Sequence, residues 1–301
     1  MKVTRPSPAD LARVVGLLRA AEQADTGEGE WDERQLREHW ETIDLGRDAW
    51  LVEFDGRLAG YADLEVRPGG RIMADGYVLP ELRARGVGAE LLRLTEEEAR
   101  RRAEHIDGRV YLQNATTAAA DTLYRSHGYH AVRRFRRMLA ELAQAPAVRA
   151  PAGIELRPLR PAEEREVHEL LEDAFSSHWE HRRRSFEEYA KRTFDREDHD
   201  PSLCVVAQAE TGLAGASLNW WKYNGDWGWI GVLGVHPALR GRGIGAGLLL
   251  ASFAEFFRRG ERRIALGVDA QNETGAARLY ERHGMRTLWE APIWEKELRA
   301  A

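Results

Sequence analysis

Residues 239–249 read LRGRGIGAGLL. Glycine stands at Gly241, Gly243, Gly245 and Gly247, and an apolar run follows: Leu248, Leu249, Leu250, Ala251, Phe253, Phe256 and Phe257. Spacings of three and four predict a helix over that run. Glycines at this density let the backbone take positive φ and pass close to a bound group. A glycine turn that opens a helix presents free N–H groups and the positive end of the helix dipole. Such a turn is an anion site, most often for phosphate.

Two common phosphate loops fit poorly. A Walker loop needs Lys-Ser or Lys-Thr after the last glycine, but Ala246 and Gly247 stand there and the chain has only four lysines. A dinucleotide fingerprint can be laid on Gly241, Gly243 and Ala246. It then requires an acid at the end of the next strand, and Glu261 lies in the polar run RRGERR instead.

The pattern occurs twice. Residues 82–92 read LRARGVGAELL, so Arg83, Gly86 and Gly88 repeat Arg240, Gly243 and Gly245 at an offset of 157. Gly60 in RLAGYADL and Gly215 in GLAGASLN are 155 apart, LYRSHGY (from Leu123) and LYERHGM (from Leu279) 156, and Arg5 and Arg157 152. Offsets that drift by a few residues indicate a duplicated module with small loop changes. The Ala- and Pro-rich stretch AQAPAVRAPAG, residues 143–153, is a natural linker. The expected domains are therefore residues 1–142 and 154–301.

R-x-x-G-x-G after an apolar strand (residues 230–235) and a His236-Pro237 break resembles the pyrophosphate loop of the GNAT acyltransferase superfamily, whose ligand is acetyl-coenzyme A. The resemblance implies an α/β (α+β) fold of two tandem domains, each a mixed, mainly antiparallel sheet with helices on both faces. It also implies site residues. The strand before the turn splays from its neighbour, so Leu233, Gly234 and Val235 would pair with the pantetheine arm, the Leu233 N–H facing the acetyl oxygen. Arg240, Gly241, Arg242, Gly243, Ile244, Gly245 and Ala246 would hold the pyrophosphate. Asn272, at the start of a helix expected over residues 272–283, would bind the coenzyme arm, and Tyr280 would donate a proton to the departing sulfur.

The first half supplies a possible second coenzyme site. Gly76, Tyr77 and Val78 take the strand positions, and Arg83, Ala84, Arg85, Gly86, Val87, Gly88 and Ala89 form the turn. Asn114 and Tyr124 match Asn272 and Tyr280, but at a spacing of 10 residues against 8. The first domain is therefore expected to be structural or to bind coenzyme without turnover. The tandem arrangement is also similar to that of the mycothiol synthases, which carry a glutamate base on the strand before the turn and a tyrosine on the next. Trp229 and Gly267 occupy those positions here.

On the acceptor side, NWWKYNGDWGW holds Trp220, Trp221, Tyr223, Trp227 and Trp229. Strand alternation puts Trp227, Trp229 and Leu233 on one face. Trp220, Trp227 and Trp229 are candidate walls of an acceptor pocket, or else packing for the hairpin. Aromatic rings there could hold a cationic amine. Asp226, His178 or ordered water are candidate bases. His178 and His181 in HWEH lack metal-site spacing and read as solvated loop, so no metal is expected.

Bulk properties narrow the function. With 301 residues the chain can form two domains, and the net charge of −5 implies no general nucleic-acid footprint. The single cysteine, Cys204, reads as a buried strand residue and forbids an internal disulfide. No apolar stretch is long enough for a membrane span, so a cytoplasmic monomer or homodimer is expected. The reading is an acetyl-CoA-dependent N-acetyltransferase acting on a primary amine of a small molecule, with the second domain catalytic. The alternatives are a mycothiol-type thiol-metabolite acetyltransferase and a non-catalytic coenzyme-A-binding regulator.

Overall fold

The structure, a computed structural model, describes all residues except 30, 68, 116–117, 180, 222–226, 273 and 300–301, and leaves out the side chains of 115 and 118. In chain order the first elements are β1 (Lys2–Thr4), α1 (Leu11–Thr26), α2 (Glu33–Trp40), α3 (Leu45–Asp48), β2 (Ala49–Phe54), β3 (Arg57–Arg67) and β4 (Arg71–Val78). Then come α4 (Val87–Ala103), β5 (Val110–Ala115), α5 (Asp121–Ser126) and β6 (His130–Glu141). Residues 142–154 carry neither helix nor strand. Beyond them lie β7 (Glu155–Pro158), α6 (Glu164–Phe175), α7 (Phe186–Thr193), β8 (Val205–Ala209), β9 (Gly212–Trp221) and β10 (Gly228–Val235). The last elements are α8 (Ile244–Arg258), β11 (Arg263–Asp269), α9 (Ala276–Arg282) and β12 (Arg286–Arg299).

Contacts divide the chain into two compact units, Met1–Phe135 with Trp289–Ala301, and Arg136–Leu288. In unit 1 the strands run β1-β2-β3-β4-β5-β12, all neighbours antiparallel except the parallel pair β4–β5. Unit 2 repeats this plan as β7-β8-β9-β10-β11, with β10–β11 the parallel pair. Each is a mixed, mainly antiparallel sheet. The end of the chain runs differently from the halves expected from sequence. Ile293 and Trp294 pair with Ala115 and Asn114 of β5, so the last strand belongs to unit 1. Trp294 is fully buried there, its ring stacked 5.9 Å from that of Tyr124. Lys296 is held by Glu96 at 2.9 Å.

Alternation along the strands builds two layers. Leu51 joins Val14, Leu18 and Tyr61 beneath α1, while the next residue, Val52, joins Val87 and Leu91 of α4. In unit 2, Val206 packs with Val167 and Leu171 of α6, and its neighbours Val205 and Ala207 pack with Ile244 and Leu248 of α8. Helices therefore cover both faces of each sheet.

The duplication extends to side-chain contacts. A Cβ on Gly60 would meet Val87 and Leu91 of α4 at 2.8 and 2.9 Å, and one on Gly215 would meet Leu248 of α8 at 2.9 Å. Only glycine lets the helix after the turn lie this close to the strand. A Cβ on Gly88 would meet Leu123, and one on Gly245 would meet Leu279, each at 3.3 Å. The sequence repeat is thus a repeat of packing geometry.

Candidate active site

The site begins where the parallel pair in unit 2 opens. β10 pairs with β11 only over Gly228–Ile230, opposite Ile264–Leu266, although β10 continues to Val235 and β11 to Asp269. Leu233, Gly234 and Val235 therefore pair with β9 on one side, opposite Ser217, Ala216 and Gly215, and leave the other edge open. A β-bulge sits just before the opening. Ile230 faces Asn219 and Val232 faces Leu218, so Gly231 is the extra residue. A Cβ on Gly231 would collide with the Trp220 indole, which restricts this position to glycine.

The bulge corrects one expectation. It reverses the alternation, so Leu233 does not share a face with Trp227 and Trp229. Val232 packs with those two tryptophans, and Leu233 packs with the cluster containing Ile230, Leu266 and Tyr280.

At the end of β10 the chain enters the glycine turn. Gly241 and Gly243 have φ of +78° and +81°. Gly243 caps α8 with no side-chain bond, so the N–H groups of Ile244, Gly245 and Ala246 have no intrahelical acceptor. Arg240 turns back and donates to the Ala174 carbonyl at 2.6 Å, tying the turn to the end of α6. The geometry is a backbone anion cradle at a helix N-terminus.

Beyond β11 the predicted residues separate. Tyr280 is buried, in one apolar cluster with Ile230, Leu266 and Val268, and burial pushes its hydroxyl pKa up to about 12. Asn272 does not begin the helix. Its carboxamide oxygen accepts from the Thr274 N–H and hydroxyl, at 2.7 and 2.6 Å, and α9 starts only after Gly275 in the left-handed region. Cys204 is fully buried before β8 and its thiol is pushed to about 12, chiefly by burial.

A cavity of about 390 Å³ lies in unit 2 beside β10. Gly231 and Val232 of β10 form one wall, and Trp220, Trp179, Phe175 and Leu171 supply apolar surface. Trp227 and Trp229 do not line this cavity. They are 2% and 9% exposed, under the guanidinium groups of Arg263 and Arg137 at 5.5 and 4.5 Å. Both histidines of HWEH do line it. His181 is no solvated residue: its Nε2 lies 3.1 Å from Glu172 Oε2. Asp226 and Tyr223 fall outside the described residues.

Glu172 is the residue that sequence reading missed. It is 2% exposed, and it accepts from the Arg184 N–H at 3.3 Å, with His168 Nε2 at 3.8 Å. A signal was present. His168, Leu171, Glu172 and Phe175 follow the i, i+3, i+4, i+7 spacing of a buried helix stripe, so an acid lies among residues that face inward.

Unit 1 keeps the opening and the turn but differs in detail. β4 pairs with β5 over Arg71–Ala74 only, yet the β3–β4 register runs unbroken, without a bulge. Gly86 caps α4 at φ +83°, and Ala84, with φ +58°, takes the left-handed place of Gly241. Gly76, Tyr77, Val78, Gly88 and Ala89 border a cavity of about 470 Å³, with Glu22, Asp25 and Asp75 in its wall. Asp25 engages both nitrogens of Arg83, at 2.6 and 3.0 Å. Asn114 lies within β5, opposite Ala74 and Trp294, and is not a counterpart of Asn272. Tyr124 is wedged between Trp294 and Tyr129, with ring centroids at 5.9 and 5.2 Å. Arg85 stacks over Phe54 at 5.9 Å, and Val87 is core.

A strand parting from its parallel neighbour into an uncapped glycine turn, formed twice, defines the class: an N-acetyltransferase of the GNAT type, with two such domains in tandem. Residues 165–285 match the "Acetyltransferase (GNAT) family" and residues 46–131 an "Acetyltransferase (GNAT) domain". The chain belongs to this family.

Among its relatives, a mycothiol acetyltransferase of Geodermatophilus obscurus is 34% identical over 94% of this chain and 92% of its own length. Another, from Thermobispora bispora, is 31% identical over 96% of each. A solved GCN5-related N-acetyltransferase from Sphaerobacter thermophilus has a TM-score of 0.87 at 33% identity, covering 100% of this chain and 96% of its own. A tandem GNAT protein from the clavulanic acid biosynthesis pathway shares the fold, at TM-score 0.73 and 18% identity over 100% and 99% of the two chains. Among the described residues no helix is long and apolar enough to cross a membrane, and no group of three or more His, Cys, Asp or Glu could hold a metal ion.

Proposed function

We propose that the chain transfers an acetyl group from acetyl-CoA to the primary amine of a small molecule, and that unit 2 performs the reaction. One observation carries this reading: the 390 Å³ cavity ends on Gly231 and Val232, the residues immediately before the open edge at Leu233. A thioester lying along that edge would meet an amine held in the cavity. Leu233 would supply a backbone donor to the acetyl oxygen, where negative charge develops. The turn from Arg240 to Ala246 would take the pyrophosphate.

An alkyl ammonium must lose a proton before it attacks. His181 is the acceptor this reading assigns, oriented by Glu172 as a carboxylate orients a catalytic imidazole; His178 lines the same cavity. Tyr280 would stabilise the departing thiolate. Its raised pKa keeps it a hydrogen-bond donor at neutral pH.

The relatives named mycothiol acetyltransferase favour a second reading, in which the amine belongs to a cysteinyl glycoside. Trp229 speaks against it, because the strand position expected to carry a glutamate base holds an indole buried under Arg137. Thiol release from acetyl-CoA against an amine panel, with the cysteinyl glycoside included, tests both readings. Turnover with small amines and none with the glycoside is the expected result; turnover with the glycoside alone moves the protein to the second reading, and no thiol release with any amine sinks both.

A further inference from the structure

Among the described residues, charge in the unit 2 cavity is not balanced. Glu172 is the one carboxylate among its described lining residues, and its partners are already present: His181 at 3.1 Å, the Arg184 N–H at 3.3 Å and Arg184 Nε at 3.7 Å. Arg184 is further held over the Tyr189 ring at 4.8 Å. Arg192, on the last turn of α7, also borders the cavity, and among the described residues it has no ion-pair or hydrogen-bond partner. A guanidinium on the exposed rim of an aromatic-walled cavity, with no carboxylate among the described residues left to neutralise it, is a site for a ligand anion.

We propose that the acceptor carries an anionic group, carboxylate or phosphate, in addition to its amine, and that Arg192 is the residue that selects for it. This deepens the reading given above and rests on it. The amine would lie toward Gly231, Val232 and His181, and the anion against α7. A neutral amino alcohol or amino glycoside fills the same space but leaves Arg192 unpaired. The cavity's 390 Å³ suits an acceptor of amino acid or sugar phosphate size.

The test is a calorimetric titration of the full chain with two matched pairs, L-phenylalanine against phenethylamine and glucosamine 6-phosphate against glucosamine. A charge-assisted contact predicts that the anionic member of at least one pair binds about 10-fold tighter or more, and the preferred pair tells carboxylate from phosphate. Arg192→Ala should remove that preference and leave the neutral member's affinity within about twofold, and Arg192→Lys should restore part of it. Equal binding within both pairs, no binding by any probe, or equal weakening of both members in Arg192→Ala would overturn the proposal. Acetyl-CoA titrated into the same samples separates the two levels: coenzyme binding without anion preference leaves the acetyltransferase reading standing, and its loss in the wild type removes that reading instead.

Discussion

Tyr280→Phe deletes one oxygen from a buried ring. The effect follows from the tyrosine's surroundings. Burial raises its pKa to about 12, whereas a thiol titrates near 8.5. Full proton transfer from tyrosine to thiolate is therefore uphill by about 5 kcal/mol. Tyr280 can act only as a hydrogen-bond donor to sulfur as the C–S bond breaks. A hydrogen bond to a charged group contributes about 1.5–3 kcal/mol, which converts to a fall in kcat of roughly 10- to 150-fold. Acetyl-CoA affinity should stay within about twofold, because the bond strengthens only as charge forms on sulfur. The ring keeps its place among Ile230, Leu266 and Val268, so stability should change by less than about 1 kcal/mol. Tyr124→Phe is the control: that ring is stacked on Trp294 in unit 1, and turnover should remain near wild type. Steady-state kinetics at saturating acetyl-CoA decide the matter. A loss under about threefold in Tyr280→Phe, or a greater loss in Tyr124→Phe, refutes the reasoning.

His181→Gln should lower kcat by about 10²-fold or more with coenzyme affinity unchanged; a shift in coenzyme affinity alone would show the histidine to be structural. Glu172→Gln should lower kcat as well and destabilise unit 2 by about 1–3 kcal/mol, because the carboxylate orients His181 and caps the Arg184 N–H; chemical denaturation and kinetics on one preparation read both. Asn219 donates to the Leu203 carbonyl at 2.8 Å and to Ser252 at 3.0 Å inside a buried, fully bonded network. Asn219→Ala should cost about 2 kcal/mol or more and lower the Tm measurably. Two contributions to the stability of unit 1 should fade as pH rises, against the opposite trend of its lowered carboxylates Asp10, Glu90 and Glu98. Burial beside Asp63 lifts Asp75 from 3.8 to about 6, so the native state holds a proton that the unfolded chain releases earlier. His39 is raised as well: burial opposes its charge, but the Asp63 hydrogen bond and charge prevail. Both contributions fade upward, Asp75 between pH about 4 and 6, and His39 as pH passes its raised value. Asp75→Asn should flatten the acid part of that profile in pH-dependent denaturation.

Much of the fold was legible because the module occurs twice. Glycines at close approaches, such as Gly60 with Gly215 and Gly88 with Gly245, leave the same mark at both sites, and apolar spacing marked α8. Four features were not legible. The bulge at Gly231 shows as one glycine in a strand, and it reverses the alternation after it, which is why the expected placement of Leu233 on one face with Trp229 failed. Asn114 and Asn272 share a residue type but not a position, since strand register rather than spacing decides that Asn114 faces Ala74. Glu172 and His181 are 9 positions apart in sequence and meet only when the segment between α6 and α7 folds back. The return of β12 to unit 1 is a long-range pairing that no local pattern encodes.

The central claim is that the turn of unit 2 holds acetyl-CoA. The turn of unit 1 has its arginine engaged by Asp25, with Glu22 and Asp75 in the same wall, so a pyrophosphate is disfavoured there. Isothermal titration of acetyl-CoA into the wild type, Gly243→Val and Gly86→Val tests this directly, because a branched side chain is strained at the φ of +81° and +83° found at these two positions. The account predicts one coenzyme per chain in the wild type, lost in Gly243→Val and kept in Gly86→Val. Binding that survives Gly243→Val, or that disappears in Gly86→Val alone, contradicts it.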